Sequence, residues 1–153
     1  MTRLSAFVLF LVLACFAIPA AQAGDAATLR VSATVLGVCK IASVDDIGFG
    51  DLDPSHPVDV EARGAIRLLC TRGVDYRLTV DNGQGYDATT GQRRMHGAGA
   101  YLPYALDVEA FSGVGAGFRM PIELPLTATI RGDDYRDLPA ETYGDVIRVV
   151  LEP

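Results

Sequence analysis

The stretch ETYGDVIRVVLEP, residues 141–153, decides how this chain is read. Asp145, Ile147, Val149 and Leu151 alternate with Val146, Arg148, Val150 and Glu152, apart from one doubled apolar step. Period-two patterning rich in β-branched residues is the signature of a strand. Gly144 supplies a turn position before it, and the sequence stops at Pro153. Most domains carry a few loose polar residues past their last element. The expectation is therefore a closing strand whose far edge nothing later in the chain covers.

The same alternation recurs upstream. Leu29, Val31, Ala33 and Val35 alternate with Arg30, Ser32 and Thr34, and Ile66, Leu68 and Cys70 with Arg67 and Leu69. Tyr76, Leu78 and Val80 form another such run, as do Ile122 to Ile130 and, interrupted by Pro103, Leu102 to Val108. Between them lie Asp81-Asn82-Gly83, Thr90-Gly91-Gln92, Gly97-Ala98-Gly99 and Gly113 to Gly117, all turn or loop material. No helical periodicity is sustained anywhere. Six or seven short strands at this spacing predict a single all-β sandwich domain. Pro125 falls in the polar phase of its strand, which suits an edge or a bulge.

The first 23 residues read as a secretory signal. Arg3 gives a positive start, Ala6 to Ala21 an apolar run, and Ala21-Gln22-Ala23 small residues at a cleavage site. The run is too short for a membrane span, so the mature domain is expected to be residues 24–153, exported, with no membrane insertion. Removing Arg3 takes the formal charge from −6 to −7, which argues against nucleic acid or an anionic membrane surface as partner. Cys15 leaves with the signal, although Val12-Leu13-Ala14-Cys15 faintly resembles a lipidation site. Cys39 and Cys70 then form an even pair, which in an exported chain predicts one disulfide.

Nothing in the sequence assembles a catalytic set, and no cofactor or metal is expected. His56 and His96 are isolated beside turn residues, and no nucleophile elbow or metal-spaced Cys/His group occurs. Asp45, Asp46, Asp51 and Asp53 cluster in sequence but lack the glycine and terminal glutamate of a calcium loop; they read as a solvated turn. Arg131-Gly132-Asp133 matches an integrin-recognition tripeptide but sits at a strand end, where Gly-Asp is ordinary. Arg93 and Arg94 read as turn arginines able to pair with loop aspartates at the surface.

In order, several pieces resemble the spore coat protein U domain family, which includes subunits of archaic chaperone–usher pili. An alternating run leads from Leu29 to Cys39; Ile47-Gly48-Phe49-Gly50 follows, then Leu68-Leu69-Cys70-Thr71, Tyr76 to Val80, Arg93-Arg94-Met95, a strand containing Tyr104, and Pro139 to Asp145 before the closing strand. The resemblance implies an incomplete immunoglobulin-like β-sandwich lacking its last strand, completed by donor-strand complementation. On that reading residues 24–35 are a donor segment whose Leu29, Val31, Ala33 and Val35 enter a neighbour beside an acceptor edge of Ile147, Val149 and Leu151. The implied partners are a periplasmic chaperone, an outer-membrane usher and neighbouring fibre subunits, and the implied role is adhesion and biofilm formation. A monomeric secreted binding module and a spore or cyst coat protein are the alternatives.

Overall fold

A computed structural model of the chain describes residues 24–108 and 111–153; the expected signal segment lies outside the described residues. The chain divides into two units, residues 1–33 and 34–153. In the first, residues 24–33 form neither strand nor helix and are exposed throughout. The alternating run from Leu29 is thus no strand here. Alternation sorts side chains onto two faces, but a strand also needs a second backbone to hydrogen-bond with.

Among its described residues the second unit has eight strands: β1 (Cys39–Asp45), β2 (Val60–Cys70), β3 (Asp75–Val80), β4 (Arg93–His96), β5 (Tyr101–Asp107), β6 (Phe111–Val114), β7 (Ile122–Ile130) and β8 (Val149–Glu152). One short helix, α1 (Gly132–Tyr135), follows β7. The strands form two antiparallel sheets, a five-stranded one ordered β1-β2-β7-β5-β4 and a three-stranded one ordered β6-β3-β8. Even-numbered residues of β2 and β7 face inward, so Ile66, Leu68, Cys70, Leu124 and Leu126 meet Tyr76 and Leu78 of β3 in one buried cluster. Leu102, Tyr104, Ile130 and Tyr135 make a second. This is an immunoglobulin-like sandwich in which β8 is a sheet edge.

Several elements differ from the sequence expectation, each for a physical reason. β1 breaks its own alternation, because its register against β2 shifts between Ile41 and Ser43. After that bulge Ser43 lies opposite Arg67 on the outer face and Val44 opposite Ile66 on the inner one. Period two cannot be read across such a step, and Asp45 belongs to this strand rather than to a turn. β4 takes the two arginines out of the expected turn, pairing Arg93 with Tyr104 and His96 with Tyr101. Gly113 and Val114, expected as loop, pair with Tyr76 and Asp75 in β6. Glycine there carries little strand propensity, but the Tyr76 ring occupies the space where a Cβ would stand. Pro125 lies opposite Ala65 of β2, while β5 covers β7 only at residues 127–129. Its missing N–H therefore falls where one side of β7 is open.

α1 is held by the Tyr135 hydroxyl, which donates to the Val58 carbonyl at 3.0 Å and accepts from the Val58 N–H at 2.9 Å. The Arg131-Gly132-Asp133 tripeptide is its entrance, with Gly132 buried and its N–H donating to Asp59 at 2.8 Å.

Candidate functional site

Asp81 settles which way the closing strand faces. Its N–H donates to the Arg148 carbonyl at 3.0 Å, and its Oδ1 accepts from the Arg148 N–H at 2.9 Å. The Arg148 and Gly83 N–H groups hold the Asp81 carboxyl below the usual carboxylate range. Arg148 thus turns its backbone toward the β3 side. Successive residues of a strand present their N–H and C=O groups to opposite edges. The backbone groups of Ile147, Val149 and Leu151 consequently point away from β3, along the free edge of the sheet. Their side chains point inward and are half-buried, while Val146, Arg148, Val150 and Glu152 are exposed.

Beside this edge the sandwich is open. Two adjoining hollows of about 520 and 390 Å³ share Ile47, Phe49, Met95 and Tyr143 in their linings. Together they form a groove with one wall from residues 44–52 and the other from residues 138–149. Its floor is core: Leu102, Tyr104, Leu126, Ala128 and Ile130 of the five-stranded sheet line it. An apolar trough next to an unpaired strand edge offers both hydrogen bonds and burial to an extended chain.

The walls are fixed by polar contacts. Asp145 ties down one of them. Its Oδ1 accepts from the N–H groups of Gln84 at 2.8 Å, Gly85 at 3.1 Å and Val146 at 2.9 Å, and its Oδ2 from the Tyr104 hydroxyl at 2.6 Å. Burial first, and then this hydrogen bond, push the Tyr104 hydroxyl well above the usual tyrosine range. Gly144 exchanges backbone hydrogen bonds with His96, which joins the same wall to β4. Burial works against the charge on Glu141, but the N–H groups of Ala98 and Gly99 overrule it and hold the carboxyl low.

The opposite wall hangs from β1. Cys39 and Cys70 are disulfide-bonded with Cα atoms 4.1 Å apart, directly opposite each other in the β1–β2 register. At the other end of β1, Arg67 reaches Asp45 at 2.9 Å and Glu123 at 3.3 Å, spanning three strands on the outer face. Gly64 lets the chain leave β1 closely over β2, since a Cβ there would meet the Asp45 carbonyl and Ile47 at 2.7 Å.

Of the acceptor residues of the sequence reading, Ile147 and Val149 line one wall of the groove, while Leu151 packs against the core cluster beyond it. Leu29, Val31 and Val35 are 85–88% exposed. The four-aspartate cluster does not converge: Asp45 is held by Arg67, and Asp53 folds back onto Ser55. Among the described residues no group of three or more His, Cys, Asp or Glu side chains could hold a metal, and no helix is long and apolar enough to cross a membrane. His56 sits beside Ser55, and His96 stacks near Tyr101. Arg94 is better anchored than a surface pair, lying 3.1 Å from Asp87 and 4.4 Å from the Tyr101 ring. The sequence reading missed Met95, Tyr104 and Tyr143 as groove residues. Their only signal was a place on strands or turns flanking the closing segment.

The family model for the spore coat protein U domain matches residues 25–150, nearly all of the described chain. The chain belongs to the spore coat protein U domain family. Among solved structures, one chain of the CsuC–CsuE chaperone–tip adhesion subunit pre-assembly complex, from the archaic chaperone–usher Csu pili of Acinetobacter baumannii, is similar in fold. The TM-score is 0.50 at 19% identity, and the match covers 78% of this chain and 40% of that one. A comparison with curated protein sequences finds no match.

Proposed function

We propose that this chain is a structural, non-enzymatic subunit of an exported surface fibre of the archaic chaperone–usher kind, serving adhesion and biofilm formation. Its groove accepts an extended strand from outside. A periplasmic chaperone supplies that strand first; at an outer-membrane usher, the 24–35 segment of a neighbouring subunit replaces it. The observation that carries this reading is the closing segment: β8 is an edge strand of its sheet, and Ile147 and Val149 line the apolar trough beside it, which is floored by core side chains. The solved chaperone–subunit complex of similar fold supports a chaperone as the first occupant.

In the donor, Leu29, Val31, Ala33 and Val35 share the face that enters, and Ser32 and Thr34 stay outside. Mature chains carrying Val31→Asn or Ser32→Asn test this by sedimentation and electron microscopy. Asn at the inserted position buries an unpartnered amide, costing roughly 1–3 kcal/mol, while at position 32 it remains in water. Assembly should fail for Val31→Asn and persist for Ser32→Asn. Equal assembly of both, or a stable monomer of the parent chain, would favour the secreted binding module instead.

A further inference from the structure

We propose that the groove selects its incoming strand by charge as well as by shape, and that the residue selected is Arg30 of a second copy of this chain, whose guanidinium meets the lip carrying Asp46 and Asp51. This rests on the strand-acceptance reading above and adds what the groove discriminates.

Among the described residues, the groove lining carries Asp45, Asp46, Asp51, Glu141 and Asp145, and no lysine, arginine or histidine. Asp45 is neutralised by Arg67, Glu141 is satisfied by the Ala98 and Gly99 N–H groups, and Asp145 by N–H groups and the Tyr104 hydroxyl. Asp46 and Asp51 are different. Both are exposed, and among the described residues neither has a cationic partner. They bracket Ile47 and Phe49, two half-buried residues of the same wall that line the trough. An apolar slot with an anionic lip repels an acidic strand and favours a basic one.

Within residues 24–35 the single basic side chain is Arg30, between Leu29 and Val31. With those two inserted, Arg30 stays at the mouth, and its long stem reaches a lip while its head remains in water. A one-residue slip would drive the guanidinium onto the apolar floor, where an unpaired charge is strongly disfavoured. Arg30 therefore fixes the register as well as the partner.

The test titrates fluorescent peptides of residues 24–38 into the full mature chain at about 20 mM and about 500 mM salt, well below and well above physiological screening. An exposed ion pair changes an equilibrium by about 1.4- to 5-fold. Replacing attraction by repulsion at two carboxylates should make the Arg30→Glu peptide bind about 3- to 10-fold more weakly at low salt. The gap should close at high salt. A chain carrying Asp46→Arg and Asp51→Arg should reverse the preference. Equal binding of the two peptides at low salt, or an unchanged preference in the doubly substituted chain, overturns the proposal. A Val31→Asn peptide separates the two levels. If it binds as well as the parent, strand insertion itself fails; if it is weakened while Arg30→Glu is not, charge selection alone fails.

Discussion

Tyr104→Phe removes one atom from beneath the groove, and its cost can be worked from the contacts. The hydroxyl donates to Asp145 at 2.6 Å from a side chain only 8% exposed. Hydrogen bonds to charged groups contribute about 1.5–3 kcal/mol. The low end applies because Asp145 keeps the Gln84, Gly85 and Val146 N–H groups, so a loss of about 1.5 kcal/mol is expected. Asp145→Ala should cost more, about 3 kcal/mol, since it leaves the Tyr104 hydroxyl and the N–H of buried Gly85 without their acceptor. If the two residues act through each other, the double variant costs about as much as Asp145→Ala alone, a coupling of about 1.5 kcal/mol. The assay is urea unfolding of the mature chain followed by far-ultraviolet circular dichroism, with all four proteins at one concentration because self-association shifts apparent stability. With slopes of about 1–3 kcal/mol per molar urea, Tyr104→Phe should lower the midpoint by roughly 0.5–1.5 M. The alkaline limb gives a second readout. Because the folded pKa is raised, the contribution is intact below the unfolded tyrosine value of about 10 and declines as pH climbs past it. The Tyr104→Phe chain should show a shallower decline, what remains coming from Tyr143, whose hydroxyl burial and Glu141 also raise. An unchanged midpoint, or strictly additive losses in the double variant, would refute the wall-bracing role of this pair.

Three further outcomes follow from the same contacts. Replacing Cys39 and Cys70 together by serine removes a link across 31 positions and should lower stability by about 3.5–4 kcal/mol on the chain-entropy estimate, read as a fall in the urea midpoint relative to the parent. Asp81 has a depressed carboxyl, so its contribution is present above the ordinary aspartate value of about 3.9 and lost as pH falls through that value toward the folded one; Asp81→Asn should flatten that acid limb in a pH series of unfolding midpoints. Leu78→Ala, at a fully buried β3 position opposite Leu151, should cost about 2–5 kcal/mol in the same assay.

The long, regular strands were legible because both determinants agreed along them. In β7 every even-numbered residue from Leu124 to Ile130 is buried, and β2 and β3 follow the same rule near Cys70 and Leu78. Alternation failed where geometry, not composition, sets the face. The bulge after Ile41 hides β1, and in β6 a glycine of low strand propensity, Gly113, stands where the Tyr76 ring leaves no room for a Cβ. β4 is four residues long, held by Arg94 contacts to Asp87 and Tyr101 that no periodicity reports. Of the groove, the wall residues Ile147 and Val149 were legible as one face, since with Leu151 they keep one parity through a segment only half of which is strand. The other wall was not: past the end of β1, residues 46–52 form no strand or helix, and their position depends on Gly64, Arg67 and the disulfide at long range. Only contacts distant in sequence reveal that a turn of aspartates is the rim of a trough.

The central claim concerns backbone groups, and amide hydrogen exchange reads them one by one. Nuclear magnetic resonance of the mature chain, alone and saturated with the peptide of residues 24–38, should follow Ile147, Val149 and Leu151 against Arg148 and Val150. Alone, the first three have N–H groups on the free edge and should exchange fast, while Arg148 and Val150 are already bonded toward β3. With the peptide bound, all three edge amides should slow by orders of magnitude, because a new strand now accepts their hydrogens. Tight peptide binding that leaves Ile147, Val149 and Leu151 as unprotected as before would contradict the account.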